Sequence, residues 1–244
     1  MSRQARQFFV FPDLPPDSAD TIIQINQSLA RLYFGRRPEI AVTGRLARSK
    51  IAWKIETFCE AMLYRIVALA EGAALCWNEE NMLGAVLSAR AIVETSAVLF
   101  DYEHQLVQML RSNDLEAINA ITMNRMFSSR DTEWVKESPD LQAVNVLTLI
   151  DKMDARLLPG ARGHYDRLSE RCHPNSFGQH QMFTRTDYKT RTVAFSDGRT
   201  LRDTSSIVCG LLLLPLLENI LKRVSELTEQ VAELHYQTRP PDRR

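Results

Sequence analysis

The chain is expected to fold as a mainly α-helical, antiparallel bundle with two long central helices and a small β-hairpin insertion before the last helix. Three observations predict this. From Ser49 to about Trp77, Ile51, Ile55, Phe58, Cys59, Met62, Ile66, Leu69 and Ala73 recur at steps of mostly three and four, which lines one face of a helix. A second helical pattern runs from about Met82 to Arg111, after a polar connection at Asn78–Asn81 too short for anything but an antiparallel return. The hydrophobic fraction, 45% of 244 residues, is enough for a sizeable core.

The remaining elements follow in order. Residues 1–16 hold Phe8, Phe9, Phe11 and three prolines and read as an irregular arm lying over the body. Ser18 or Asp20 is placed to cap a helix from about Thr21 to Tyr33, ended by Gly35, Pro38 and Gly44. The second long helix is rich in small residues at its middle (Ala85, Ser88, Ala89, Ala91, Ser96, Ala97), which permits close approach of a neighbour. Asp114 to about Met126 is a third helical pattern. Ser128 to Asp140 is polar and reads as loop. Asp140 is placed to cap a helix through Leu141, Leu147, Ile150 and Met153. A helix over Tyr165–Cys172 stops at Pro174, because the residue before a proline is biased out of the α region; His173 therefore falls at the helix end. Residues 181–200 are mostly β-formers between turn residues and predict the hairpin. A last helix runs from about Thr204 to His235, kinked or divided by Pro215. One helical domain, 17–237, is expected, followed by a disordered tail, 238–244.

Lys+Arg and Asp+Glu both number 30, so no global field draws the chain to nucleic acid or anionic lipid, and any polyanion site must be local. The four cysteines, Cys59, Cys76, Cys172 and Cys209, match no zinc-ligand spacing and read as reduced thiols of a cytoplasmic protein. No signal-peptide pattern opens the chain, and the longest apolar run, Ile207 to Leu217, is interrupted by Gly210 and Pro215; no membrane association is expected.

Chemistry concentrates in Tyr165-Asp-Arg-Leu-Ser-Glu-Arg-Cys-His-Pro-Asn175. Tyr165, Ser169 and His173 are spaced i, i+4, i+8 and fall on one slowly drifting stripe, at about 100° per residue. Arg90 and Glu94 form a second i, i+4 pair amid Val86, Leu87, Ile92, Val93 and Val98, where charged side chains need partners. Glu170-x-x-His173 is half of a di-iron motif, but the other histidines lack a glutamate three residues before them, so no metal and no cofactor is expected. A Ser169/His173 nucleophile pair lacks a glycine-rich nucleophile turn. Metal-independent RNA cleavage needs a histidine at the ribose hydroxyl and an arginine at the phosphate, which these residues can supply. A structural reading stands beside it: His173 capping its helix, Arg90–Glu94 fixing register, and Tyr165 in the core. Cations between 151 and 203, with Phe183, Tyr188 and Phe195 interleaved, make either a polyanion patch or a solvated mixed-charge face.

Arg167, five residues and then His173 resembles the signature of the HEPN family, small all-helical ribonucleases and nucleotide-binding domains of prokaryotic toxin and antiviral systems that usually dimerise. Arg90, Glu94, Tyr165, Leu168, Ser169 and His173 together are similar to an Arg-x3-Glu … Tyr-x2-Leu-Ser-x3-His pattern of bacterial helical proteins of unassigned function, some distantly HEPN-like. The resemblance implies that Arg90–Glu94 and His173 converge. It makes Arg90 a better phosphate ligand than Arg167, which an unbroken helix would set about 120° from His173. The function expected is action on RNA or a nucleotide, as a homodimer, possessing His173 as acid/base, Arg90 or Arg167 as phosphate ligand, and Glu94, Tyr165, Ser169 and Asn175 as orienting groups. The alternative is a non-enzymatic helical module that binds a protein or small ligand.

Overall fold

The computed structural model describes residues 4–238, less the side chains of residues 201 and 202. The chain is an all-α bundle with one two-stranded hairpin before the last helical segment. Its elements are α1 (Pro16–Gly35), α2 (Gly44–Arg48), α3 (Lys50–Asn78), α4 (Met82–Arg111), α5 (Leu115–Phe127), α6 (Thr132–Glu137), α7 (Val146–Arg156), α8 (Ala161–Cys172), α9 (Gln181–Phe183), β1 (Thr184–Asp187), β2 (Thr192–Phe195), α10 (Leu201–Leu211) and α11 (Leu213–Thr238). The expected tail lies outside the described residues except Thr238, which closes α11.

The two long patterns form α3 and α4, capped by Ser49 and Asn81, whose side chains accept from the backbone N–H of Ala52 and Gly84. They pack antiparallel, and α4 is the axis of the bundle: α3, α5, α7, α8, α10 and α11 all lie against it. Leu99, Phe100, Asp101 and Tyr102 are consecutive and all buried, so α4 is enclosed on every side near its middle. By length and composition, α4 and the stretch Asp203–Thr238 each contain a window apolar enough to cross a membrane; 56% of each window is buried within this fold.

Several boundaries differ from the sequence reading. Helix α1 begins at Pro16, with Pro15 at the N-cap, and neither Ser18 nor Asp20 caps it. A proline at the first helical position loses no bond, because that N–H has no intrahelical acceptor. The 128–140 stretch holds the short helix α6, because Asp131 accepts from the N–H of Glu133 and Trp134; a 3₁₀ turn, Pro139–Leu141, follows. Asp140 caps nothing; α7 starts later, at Val146, on the side chain of Asn145. The last helix divides at Leu212, three residues ahead of Pro215, which occupies the first turn of α11, where a missing N–H is harmless.

The N-terminal arm is held by side-chain amides. Asn26 accepts from Phe8 N at 2.7 Å and donates to Phe8 O at 3.0 Å. Asn78 does the same across Phe9 N and Gln7 O, and Trp77 Nε1 donates to Phe9 O. Phe8 and Phe11 then close over the buried indole of Trp77. At the opposite end Glu56, itself buried, bridges Arg37 and Arg45 and ties the 36–48 segment to α3.

The small residues of α4 do permit close approach. A Cβ on Gly210 of α10 would stand 3.1 Å from Ala89 Cβ and 3.4 Å from Ala89 O. Gly210→Leu is therefore expected to lower stability by about 1–3 kcal/mol through overpacking. Gly35→Ala, where nothing lies within 4 Å, is expected to be neutral or stabilising by up to about 1 kcal/mol. Urea denaturation of the two variants checks both, and equal midpoints would contradict the packing argument.

Candidate functional site

Helix α8 is short and has two working faces. Tyr165 and Cys172 meet α4. His164, Arg167 and Arg171 look towards α10 and the α10–α11 break. The first face carries a closed polar cluster. Tyr165 Oη donates to Glu94 Oε1 at 2.9 Å and accepts from Arg90 Nη2 at 3.0 Å and Nε at 3.3 Å. Arg90 Nε also stands 3.2 Å from Glu94 Oε1. The guanidinium carbon is 5.4 Å from the Tyr165 ring centroid. The i, i+4 pair on α4 is thus completed by a phenol from a helix 75 residues further on.

Burial and charge act against one another here. Tyr165 is 3% exposed, whereas the side chains of Arg90 and Glu94 are each 27% exposed. Desolvation works against the Arg90 charge, but the Tyr165 hydroxyl, Glu94 and a bond to the Cys172 thiol outweigh it and hold the guanidinium above its ordinary value. Burial is also the main cause that raises the Tyr165 phenol; Arg90 opposes it and Glu94 adds to it. Burial raises the Cys172 thiol, again against Arg90. The cluster keeps Arg90 charged and Tyr165 protonated at neutral pH.

His173 closes α8 in extended conformation, φ −89°, ψ 148°, as the proline after it predicts. It is exposed, and its ring makes no hydrogen bond or ion pair among the described residues. It follows directly on Cys172, the last residue of α8. Asn175 does not orient a reacting group: its Oδ1 accepts from Phe177 N and Gly178 N, and its Nδ2 donates to Glu170 Oε2 at 2.8 Å, so it caps the π-helical turn Ser176–His180. That turn packs under α8, because Gly178 approaches so closely that a Cβ there would lie 2.0 Å from His173 O. Ser169 is half-buried beside the cluster and bonds to none of its members.

Arg167 belongs to the second face. It is exposed, and its Nη1 would lie 3.7 Å from a Cβ on Gly163. Arg167 therefore stands apart from the Arg90–Glu94–Tyr165 cluster. Three features escaped the sequence reading. Cys172, half-buried, lies within the electrostatic reach of Arg90, and a thiol in a helix carries no distinguishing signal. Arg171 makes a buried ion pair with Asp203, Nε to Oδ1 at 3.0 Å, and this joins α8 to the start of α10. His164 is pushed down to about 4, by burial first and then by Arg167 and Arg171. Among the described residues no group of three or more His, Cys, Asp or Glu side chains is gathered as metal ligands. No family model, curated protein or solved structure matches the chain.

Two outcomes are expected. Tyr165→Phe leaves Arg90 and Glu94 in place but removes their common partner, and should cost about 1–2 kcal/mol. In a double-mutant cycle with Glu94→Gln the two changes should be non-additive by at least about 0.5 kcal/mol, and additivity would dissolve the cluster as a unit. His164 is neutral when folded, whereas the unfolded chain takes up a proton below its ordinary value of 6.5. Between pH 6.5 and about 4 the unfolded state binds more protons, so stability falls as pH falls through that window, by up to roughly 3 kcal/mol. Denaturation at pH 7 and pH 5 should show this loss in the wild type and less of it in His164→Phe.

Proposed function

We propose that this helical protein acts on RNA, as a HEPN-like, metal-independent endoribonuclease of the kind found in bacterial toxin and antiviral systems, active as a homodimer. One observation supports the reading: Arg90, charged and partly open to solvent, is held by Tyr165 of α8, the helix that ends one residue before an exposed histidine whose ring makes no hydrogen bond among the described residues. A phosphate ligand and an acid/base group in that relation are what phosphodiester transesterification requires. His173 takes the proton of a ribose 2′-hydroxyl. The 2′ oxygen attacks the adjacent phosphorus and expels the 5′ oxygen, which solvent protonates. The products are a 2′,3′-cyclic phosphate and a 5′-hydroxyl. Arg90 neutralises the charge that develops on the phosphate oxygens, and Tyr165 and Glu94 hold its guanidinium in place.

The hairpin supports the same substrate class. It follows the Ser176–His180 turn and the short α9, and packs little on the body. Tyr188 is 87% and Phe195 79% exposed. The same hairpin carries Arg185, Lys189 and Arg191, while Asp187 is occupied in capping the Lys189 and Thr190 N–H groups. Aromatic faces among cations suit single-stranded bases and their phosphates.

A second reading is favoured by one observation: Tyr165 already satisfies Arg90, as a buried structural cluster would demand. The module would then bind a partner without chemistry. Expression of the wild type and His173→Ala in a bacterium separates the two. The wild type should fragment RNA and slow growth. Purified protein should yield cyclic-phosphate ends in the presence of EDTA, and His173→Ala should be slower by at least about 100-fold. Intact RNA with the folded wild-type protein would overturn the ribonuclease reading.

A further inference from the structure

We propose that the cleft beside the α10–α11 break is a binding site for a small amphipathic anion, an aliphatic tail ending in a carboxylate. The break at Leu212 opens a cavity of about 510 Å³ between α4, the α7–α8 connection and the start of α11. That is within the range, roughly 300–1,000 Å³, of sites for small organic ligands. Its walls are aliphatic: Val93 forms the floor from α4, Leu158 one side, and Leu212 and Leu216 the other. Leu158 is 40% and Leu212 41% exposed, so apolar surface there stays in water until something covers it.

The polar groups at the rim fix the sign of the ligand. Arg167 is the ionised side chain of the lining, and among the described residues no acidic one lines the cleft. On the same helix Arg162 is paired with Asp151 and Asp166, and Arg171 with Asp203, whereas the Arg167 guanidinium forms no ion pair among the described residues. It folds back over Gly163, at the end of the cleft where Gly160, Ala161 and His164 lie. His164 stays neutral above about pH 4 and adds no competing charge. An apolar wall with one exposed, unpaired cation at its edge accepts a tail and favours a single negative head, which a neutral or cationic amphiphile does not supply. The site is separate from the Arg90–His173 face, since Arg167 and Tyr165 leave α8 on different sides.

The test uses the full chain and three ten-carbon probes: decanoate, decanol and decyltrimethylammonium, titrated calorimetrically at pH 7. Decanoate should bind with one-to-one stoichiometry and about tenfold or more tighter than decanol, and decyltrimethylammonium should not bind. Arg167→Gln should remove that preference and leave decanol unchanged. Leu212→Glu, at a half-exposed position that does not jeopardise folding, should abolish decanoate binding with an unchanged melting temperature. His173→Ala should bind decanoate like the wild type, so failure of the ribonuclease reading leaves this one standing. No binding of decanoate at millimolar concentration, equal affinity for decanoate and decanol, or decanoate binding indifferent to both Arg167→Gln and Leu212→Glu would each overturn it.

Discussion

A charge on a largely buried helix needs a polar partner, and α4, enclosed on every side around Leu99–Tyr102, draws such partners from the helices around it. Its polar residues are met one by one. Asp101, 1% exposed, accepts from Arg125 of α5 at 2.6 Å and Lys152 of α7 at 2.9 Å. Thr95 accepts from Arg65 of α3. Glu103 pairs with Arg223 of α11. Arg90 and Glu94 share Tyr165 of α8. Each surrounding helix except α10 is thus keyed to the axis by a polar contact at one height, and α10 is keyed by shape, with Gly210 against Ala89. Aliphatic packing drives these helices together but tolerates sliding by a turn; an unmatched buried charge does not, because leaving it unpaired costs about 3–5 kcal/mol. The polar contacts therefore select the register that the apolar surface area stabilises.

This explains what was legible in the sequence and what was not. The period of apolar residues in α3 and α4 reports burial directly, so both helices and their antiparallel return were readable. The anomaly of Arg90 and Glu94 amid valines and isoleucines was readable too, since a charge in an apolar pattern announces a missing partner. The partner's identity was not readable from spacing, because Tyr165 lies 75 positions on and reaches Arg90 only after α8 docks. Short caps were misread for a related reason. Asp140 and Asn145 are equally good cap residues, and only the 3₁₀ turn at Pro139–Leu141 decides that the helix waits until Asn145. Asn175 looked like part of a reactive group because it sits by His173; in the fold it spends both ends of its amide on the turn and on Glu170.

Helix α8 carries most of the functional argument in twelve residues. It is polar by composition and stays in place because Leu168 and Tyr165 are buried towards the core and Arg171 is sealed against Asp203. Arg171 uses its Nη1 on Arg167 O and its Nε on Asp203, and Thr200 donates to the same carboxylate, so the last turn of α8 is bolted to the first turn of α10. Its end is fixed from below by Gly178, whose bare Cα lets the following turn press against His173 O. The backbone that carries His173 is therefore tied down on both sides although the imidazole itself is exposed.

That combination separates a presented side chain from a leftover one. An exposed histidine on a frayed helix end would have no defined position. Here three constraints act within a few residues: Pro174 sets the extended exit, Asn175 and Gly178 set the turn after it, and the Arg171–Asp203 pair holds the turn before it. A catalytic group must be held to within a fraction of an ångström by its supports, and those supports are the residues whose replacement is felt without touching the chemistry. Gly178 is the sharpest of them. Gly178→Ala puts a methyl where a carbonyl oxygen stands, forces the 173–180 turn to move, and alters the position of the imidazole while Arg90, Tyr165 and Glu94 keep their own bonds. If the His173 face acts on RNA, this change should reduce activity much as His173→Ala does, yet leave the coupling of Tyr165 and Glu94 intact. If the face is only structural, the same change affects stability and nothing else.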